Sequence, residues 1–167
     1  MEPPEIIIRN ATTADIPAIL EIYNEVILNT TAVYSEKPHT LEMRLNWFNE
    51  RIAANFPVIV AIQQDTIVGF GSYGHFRIWP CYRFTAEHSV YVHQDHRGKG
   101  ISKILLTQLI ALAKTAGLHA LIAGVDSNNE VSVKLHLKFG FTQVAHFKEV
   151  GFKFGNWLDL LFFELLL

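Results

Sequence analysis

Apolar positions along this chain recur at two spacings, period two and period 3.6, and the switches between them lay out its elements in order. Residues 6–9, β-branched, predict a short first strand. Thr12 and Thr13 followed by Asp15 and Pro17 mark a helix start with Thr13 as its N-cap, and Ile16, Ile19, Leu20, Tyr23, Val26 and Ile27 carry that helix to about residue 27. Residues 29–39 form a polar loop long enough to carry function. Thr40 then caps a second helix with Leu41, Leu45, Phe48 and Ile52 along one side, which Pro57 ends. Residues 58–62 and 67–73, joined by Gln63-Gln64-Asp65-Thr66, read as a hairpin. An aromatic and cationic segment without clear period, 75–83, leads into a strand at 84–92, and equally suits a substrate lip or the cover of a sheet edge.

The stretch after that strand holds the strongest signal. A basic glycine loop, residues 97–102, opens a helix whose Ile101, Ile104, Leu105, Leu109, Leu112 and Ala113 share a face, with Gly117 just beyond its end. A strand follows at 118–125. The polar turn 126–129 caps a helix over 130–139 that Gly140 ends, and strands at 142–150 and 157–165, separated by 151–156, close the chain. The order β-α-α-β-β-β-α-β-α-β-β predicts an α/β (α+β) protein, a mixed sheet with helices on its faces, in one domain spanning 1–167.

Composition narrows the class. At 167 residues a chain can bury roughly 70% of its unfolded surface, so no staples are needed. Fourteen Lys and Arg against 16 Asp and Glu give a formal net charge of -2, which argues against a nucleic-acid partner, and positive charge is gathered at the glycine loop instead. One cysteine, Cys81, cannot form an internal disulfide, and the first ten residues lack the basic and apolar regions of a signal peptide. A cytoplasmic protein is expected. The apolar run 158–167 is interrupted by Asp159 and Glu164 and is too short for a membrane span, so it reads as a buried strand.

Strand, glycine loop and helix together make an anion-binding device. Gly98 and Gly100 allow close backbone approach, the helix offers its positive N-terminal end, and Arg97, Lys99 and Lys103 add full charges. A Walker A loop needs more residues between its glycines, and a dinucleotide fingerprint would require a third glycine where Lys103 stands. Arg97-Gly98-Lys99-Gly100-Ile101-Ser102 instead resembles the acetyl-CoA loop of the GCN5-related N-acetyltransferases, Arg/Gln-x-x-Gly-x-Gly/Ala, with Ser102 in place of the last small residue. The element order is also that family's, a mostly antiparallel mixed sheet of about seven strands with four helices. Residues 85–92 (TAEHSVYV), 129–141 (NEVSVKLHLKFGF) and 151–159 (GFKFGNWLD) are similar to the subfamily of phosphinothricin and methionine sulfoximine N-acetyltransferases.

That resemblance implies acetyl-CoA as co-substrate, the α-amine of a small amino-acid analogue as acceptor, and a homodimer. It assigns Val90, Tyr91 and Val92 to the pantetheine arm and thioester, Arg97, Gly98, Lys99, Gly100, Ile101, Ser102 and Lys103 to the pyrophosphate, and Asn129 to the pantetheine. Glu87 falls at the position of the general base and His136 at that of the general acid. Phe76, Arg77, Thr85, Ala86 and Glu87 match the acceptor region, where an arginine fork suits a carboxylate or phosphinate.

The chemistry asks for such groups. An α-amine is mostly protonated at neutral pH, so a base must take a proton before the amine attacks, and glutamate is uncommon in strands without a task. His136, alone between Leu135 and Leu137, is by spacing as well suited to packing as to proton donation. An oxyanion donor near Val90 would require a bulge in its strand. His93 and His96 have no accompanying ligand cluster, and the reaction needs no metal. Two alternatives remain open on sequence: an acyl-CoA sensor without catalysis, and an acetyltransferase of protein N-termini or other amines.

Overall fold

Val58, Ile59, Val60 and Ala61 are each buried, yet successive side chains point to opposite sides: Val58 and Val60 pack with Ile16, Ile19, Ile22, Phe48 and Phe70, whereas Ile59 and Ala61 join Leu105, Leu109 and Leu121. A strand apolar on both faces has to be covered on both. The computed structural model, which describes residues 5–167, meets that demand with helices on each side of one sheet. The first four residues, on which the expectation about a signal peptide partly falls, lie outside the described residues.

In chain order the elements are β1 (Ile7–Asn10), α1 (Ile16–Asn29), α2 (Leu41–Ala53), β2 (Val58–Gln63), β3 (Thr66–His75), β4 (Thr85–Val92), α3 (Ile101–Thr115), β5 (Ala120–Asp126), α4 (Glu130–Lys138), β6 (Thr142–Lys153) and β7 (Asn156–Leu166). Among the described residues seven strands lie in the order β1-β2-β3-β4-β5-β7-β6, with β4 and β5 parallel and every other neighbouring pair antiparallel. The apolar run at the C-terminus is β7, an interior strand. The inner face of α3 buries Leu105, Leu106 and Leu109 completely, each worth roughly 2 kcal/mol relative to exposure.

Four expectations are corrected. Thr12, not Thr13, caps the first turn: its N–H donates to Asp15 at 2.7 Å, Asp15 pairs with Arg9, and Asp15 in turn precedes α1. On α2 the covered residues are Phe48 and Arg44, while Leu41 and Ile52 are about half exposed, because the aromatic rings of Tyr23 and Trp47 receive the Arg44 guanidinium at 3.7 and 4.5 Å. On α3 the buried face turns toward Leu106 and leaves Ile104 40% exposed. Finally, 151–156 is no separate connection, since Gly151, Phe152 and Lys153 pair with Leu158, Trp157 and Asn156. Phe154 and Gly155, at φ 52° and 76°, make the two-residue turn that the twist of a hairpin favours.

Candidate active site

Strand β4 is paired with β3 along its length, but with β5 only at Thr85, Ala86 and Glu87. Thr85 accepts from the Phe76 N–H and the His93 N–H donates to Val68, so odd-numbered residues bond toward β3. By the alternation of a ladder, the main-chain groups of His88, Val90 and Val92 face the other way, into the gap that opens between β4 and β5. The β3–β4 register carries no shift, so the divergence of the strands, rather than a bulge, frees the Val90 N–H.

On one side of this gap lies a cleft of about 1070 Å³. Its walls include Val90, Tyr91, Val92, Arg97, Gly98, Gly100, Ile101, Ser102, Lys103, Asn129 and His136, which brings together the expected cofactor residues except Lys99. The Lys99 ammonium is bonded to the Asp95 carbonyl at 3.0 Å. Gly98 and Gly100 adopt φ of 77° and 80°, and a methyl group on either would meet open space, so the loop exposes its backbone rather than packing it. Gly100 is the N-cap of α3 and supplies no side-chain cap, which leaves the first amides of that helix for an anion. Arg97 holds the Val92 carbonyl through Nε at 3.2 Å and is ion-paired with Glu25 of α1. Asn129 caps α4 by accepting from the Ser132 N–H at 3.1 Å. A strand edge left open on the β5 side, free amides at a helix start with basic side chains beside them, and the length of the cleft together fit a nucleotide with a pantetheine arm.

A second cavity, about 290 Å³, is lined by Glu87, Ser89, Tyr91, Tyr34, Gly124, Asp126 and Phe162 among others. Ala32, His88, Ser89, Tyr91, Gly124 and Asp126 border both spaces, so they meet where β4 and β5 part. Burial raises the pKa of Glu87, and the nearby Arg77 and Arg51 oppose that rise. A side chain at Gly124 would place Cβ 3.1 Å from Glu87 Oε1, so this glycine makes room for the carboxylate.

The remaining acceptor-region residues are spread around this cavity. Phe76 packs edge-on against Phe162, and Arg77 lies over the Phe76 ring at 4.2 Å with Nη1 donating to its carbonyl. Thr85 is half-buried, whereas the Ala86 side chain is fully enclosed in the core with Ile59 and Leu109, so its contact with a ligand is restricted to main chain. Among the cavity residues without an assigned role on sequence grounds are Tyr34, Gly124 and Asp126. Tyr34 donates to the Asp159 carbonyl at 2.9 Å, and burial pushes its hydroxyl up to about 12. The Asp126 carboxylate accepts from Thr31 and from the Asn128 N–H. The available signals were the length of the 29–39 loop and the polar turn at 126–129.

His136 is buried and its Nε2 lies 3.1 Å from Nε2 of His88. Nδ1 of His136 is 2.7 Å from the Ser132 carbonyl, which can only accept, so the Nδ1–H tautomer is assigned and Nε2 accepts from His88. Burial holds His88 near 3 and lowers His136, leaving both rings neutral at physiological pH. His93 and His96 are engaged locally, with the Asp95 N–H and the Gln63 side chain.

Comparison with known proteins places these features in a family. The pattern described as the acetyltransferase (GNAT) family matches residues 19–141. An L-amino acid N-acyltransferase of Escherichia coli (strain K12) is 43% identical over 95% of this chain and 92% of its own. An L-methionine sulfoximine/L-methionine sulfone acetyltransferase of Salmonella typhimurium is 42% identical with the same coverage. Among solved structures, a phosphinothricin acetyltransferase from Sinorhizobium meliloti in complex with acetyl-CoA superposes with a TM-score of 0.95 at 34% identity, over 97% of this chain and 88% of that one.

Proposed function

The chain belongs to the acetyltransferase (GNAT) family, and from that premise we propose that it transfers the acetyl group of acetyl-CoA to the α-amine of a small amino-acid analogue of the methionine sulfoximine, methionine sulfone or phosphinothricin type. One observation carries this reading: the carboxylate of Glu87 sits in a small cavity that opens, at the gap between β4 and β5, into the long cleft beneath the glycine loop. A base on one side of the strand faces a thioester on the other. About 290 Å³ suits an acceptor the size of an amino acid.

In this mechanism the amides of Gly98, Gly100, Ile101 and Ser102, with Arg97 and Lys103, hold the pyrophosphate, and Asn129 and the β4 main chain hold the pantetheine arm. Glu87 takes a proton from the acceptor ammonium, directly or through water; the freed amine nitrogen bonds to the acetyl carbon to give a tetrahedral oxyanion, and as this collapses the carbon–sulfur bond breaks and the nitrogen loses its second proton to solvent. Burial favours this, since a base whose pKa is raised from its ordinary value accepts a proton more readily. The Val90 N–H faces the forming oxyanion. The leaving thiolate takes its proton from solvent, because His136 at rest has Nε2 in use as an acceptor and Nδ1–H bound to Ser132. Arg77 receives the acceptor's carboxylate beside Phe76, with Thr85 and the Ala86 main chain forming the adjacent wall.

We place this single domain in the cytoplasm as a homodimer. The support for a second copy is an apolar strip on the β6–β7 hairpin, where Phe147, Val150, Phe152 and Trp157 are 44–62% exposed. Among the described residues, no helix is long and apolar enough to cross a membrane.

The test is thiol release from acetyl-CoA with methionine sulfoximine, methionine sulfone, phosphinothricin, free amino acids and short peptides. Turnover with the small analogues is expected. Turnover confined to peptide N-termini would overturn the acceptor assignment, and absence of acetyl-CoA uptake in calorimetry would remove the reading altogether.

A further inference from the structure

Gly74 of β3 and Glu87 of β4 are register partners, so the side chain that Gly74 lacks would stand on the same face as the Glu87 side chain, directly beside it. That space is filled from above. A Cβ on Gly74 would lie 2.2 Å from Nη1 and 2.4 Å from Cζ of Arg51, so the absence of a side chain is what lets the guanidinium rest on the sheet at this point. Arg51 comes from the last turn of α2, its Cζ is 5.9 Å from the centre of the Trp47 ring, and its buried Nε has no hydrogen-bond partner. Among the described residues, neither Arg51 nor Arg77 has a carboxylate within ion-pair distance.

We propose that Arg51 is a positioning residue for Glu87, laid into the slot left by Gly74 so that the carboxylate stays ionised when Arg77 is engaged by the acceptor. The inference rests on the reading of Glu87 as base. Burial raises the affinity of the carboxyl for its proton, and two guanidinium groups oppose that rise, Arg77 from the loop after β3 and Arg51 from α2. Once Arg77 is neutralised by an acceptor carboxylate, its effect on Glu87 falls. Arg51 acts on the carboxylate through space from α2, beyond ion-pair distance and apart from the acceptor-binding residues, so its charge persists through the reaction. The other titratable groups around the cavity do not substitute for it: Tyr34 and Tyr91 have pKa values raised by burial and are neutral, His88 is neutral, and the Asp126 side chain accepts hydrogen bonds from Thr31 and Asn128.

The experiment is a carbon-13 NMR titration of the Glu87 carboxyl in the full chain, for the parent, Arg51→Met, Arg51→Lys and Gly74→Ala. Arg51→Met is expected to raise the Glu87 midpoint by about half a pH unit or more, a threefold gain in proton affinity, and Arg51→Lys to restore most of it. Gly74→Ala keeps the arginine but displaces its guanidinium, and is expected to shift the midpoint in the same direction. It also keeps the idea testable if Arg51→Met fails to fold. The acid limb of kcat/KM is expected to move with the NMR midpoint. An unmoved midpoint in Gly74→Ala and Arg51→Met overturns the role of Arg51, even if Glu87→Gln is inactive. A moved midpoint with an acid limb that stays in place supports the role of Arg51 on Glu87, and it is then the assignment of Glu87 as base that fails.

Discussion

The ammonium of Lys153 lies 2.6 Å from the carbonyl oxygen of Ile27, and it reaches two further carbonyls, those of Thr30 and Val33, at 2.7 and 2.9 Å. One fully buried lysine on β6 thus collects the end of α1 and the loop that follows it, the loop whose Ala32, Val33 and Tyr34 line the acceptor cavity. Three donors meet three carbonyls, one from the last turn of α1 and two from the loop beyond it. Lys153→Met is expected to destabilise the fold by about 2–4 kcal/mol in denaturant titration and to raise KM for the acceptor more than KM for acetyl-CoA, because the carbonyls it abandons are those of the cavity loop. Equal effects on both constants would argue against a local role.

For the base, Glu87→Gln keeps the shape of the side chain and removes proton acceptance. Turnover is expected to fall by about 10²-fold or more with acetyl-CoA affinity nearly unchanged. Turnover at the parent rate at pH 7 would exclude Glu87 from the reaction.

The histidine pair gives a spectroscopic expectation. Nitrogen-15 shifts should show His136 as the Nδ1–H tautomer and His88 as the Nε2–H tautomer, with no change for His88 between pH 8 and 5. Because a general acid contributes about 10² or more, turnover of His136→Phe is expected to stay within about tenfold of the parent. A larger loss would return His136 to the position of proton donor.

Gly100 sits at φ 80° where the loop enters α3. Gly100→Ala forces an L side chain into a left-handed conformation, about 1–2 kcal/mol of strain, and relief of that strain would rotate the amides that face the anion. Calorimetry is expected to show acetyl-CoA binding weakened about tenfold, with the acceptor cavity unaltered.

Stability toward acid is expected to depend on Asp15. The Arg9 hydrogen bonds, chiefly, hold its pKa at about 2, below the ordinary value of 3.8. A carboxyl depressed in the folded state contributes stability above the unfolded pKa and loses it as pH falls through the folded one. Asp15→Asn is therefore expected to cost about 1–2 kcal/mol at pH 7, with the difference from the parent shrinking between pH 4 and 2 in thermal unfolding.

Period and punctuation made most of the fold legible. The eleven elements follow from alternating and helical spacing, and the glycine loop with the strand before it carries enough chemistry to indicate a bound anion. What failed were choices of face. Arg44 is at a covered position of α2 because Tyr23, from another helix, offers a ring to its guanidinium, and no local rule contains that neighbour. The family resemblance places Ala86 in the acceptor region together with Glu87, yet adjacent strand residues point to opposite sides and the Ala86 side chain is in the core.

The amino-acid sequence by itself determined the succession of elements, the left-handed glycines and the positive helix start, since these depend on properties of a few consecutive residues. Only the tertiary structure decided that β4 and β5 part after Glu87, that His136 meets His88, and that Arg51 lies in the space of Gly74. Each of those joins residues tens of positions apart through the packing of the whole sheet, and a contact that exists only when the chain has closed on itself has no signature in the order of its neighbours.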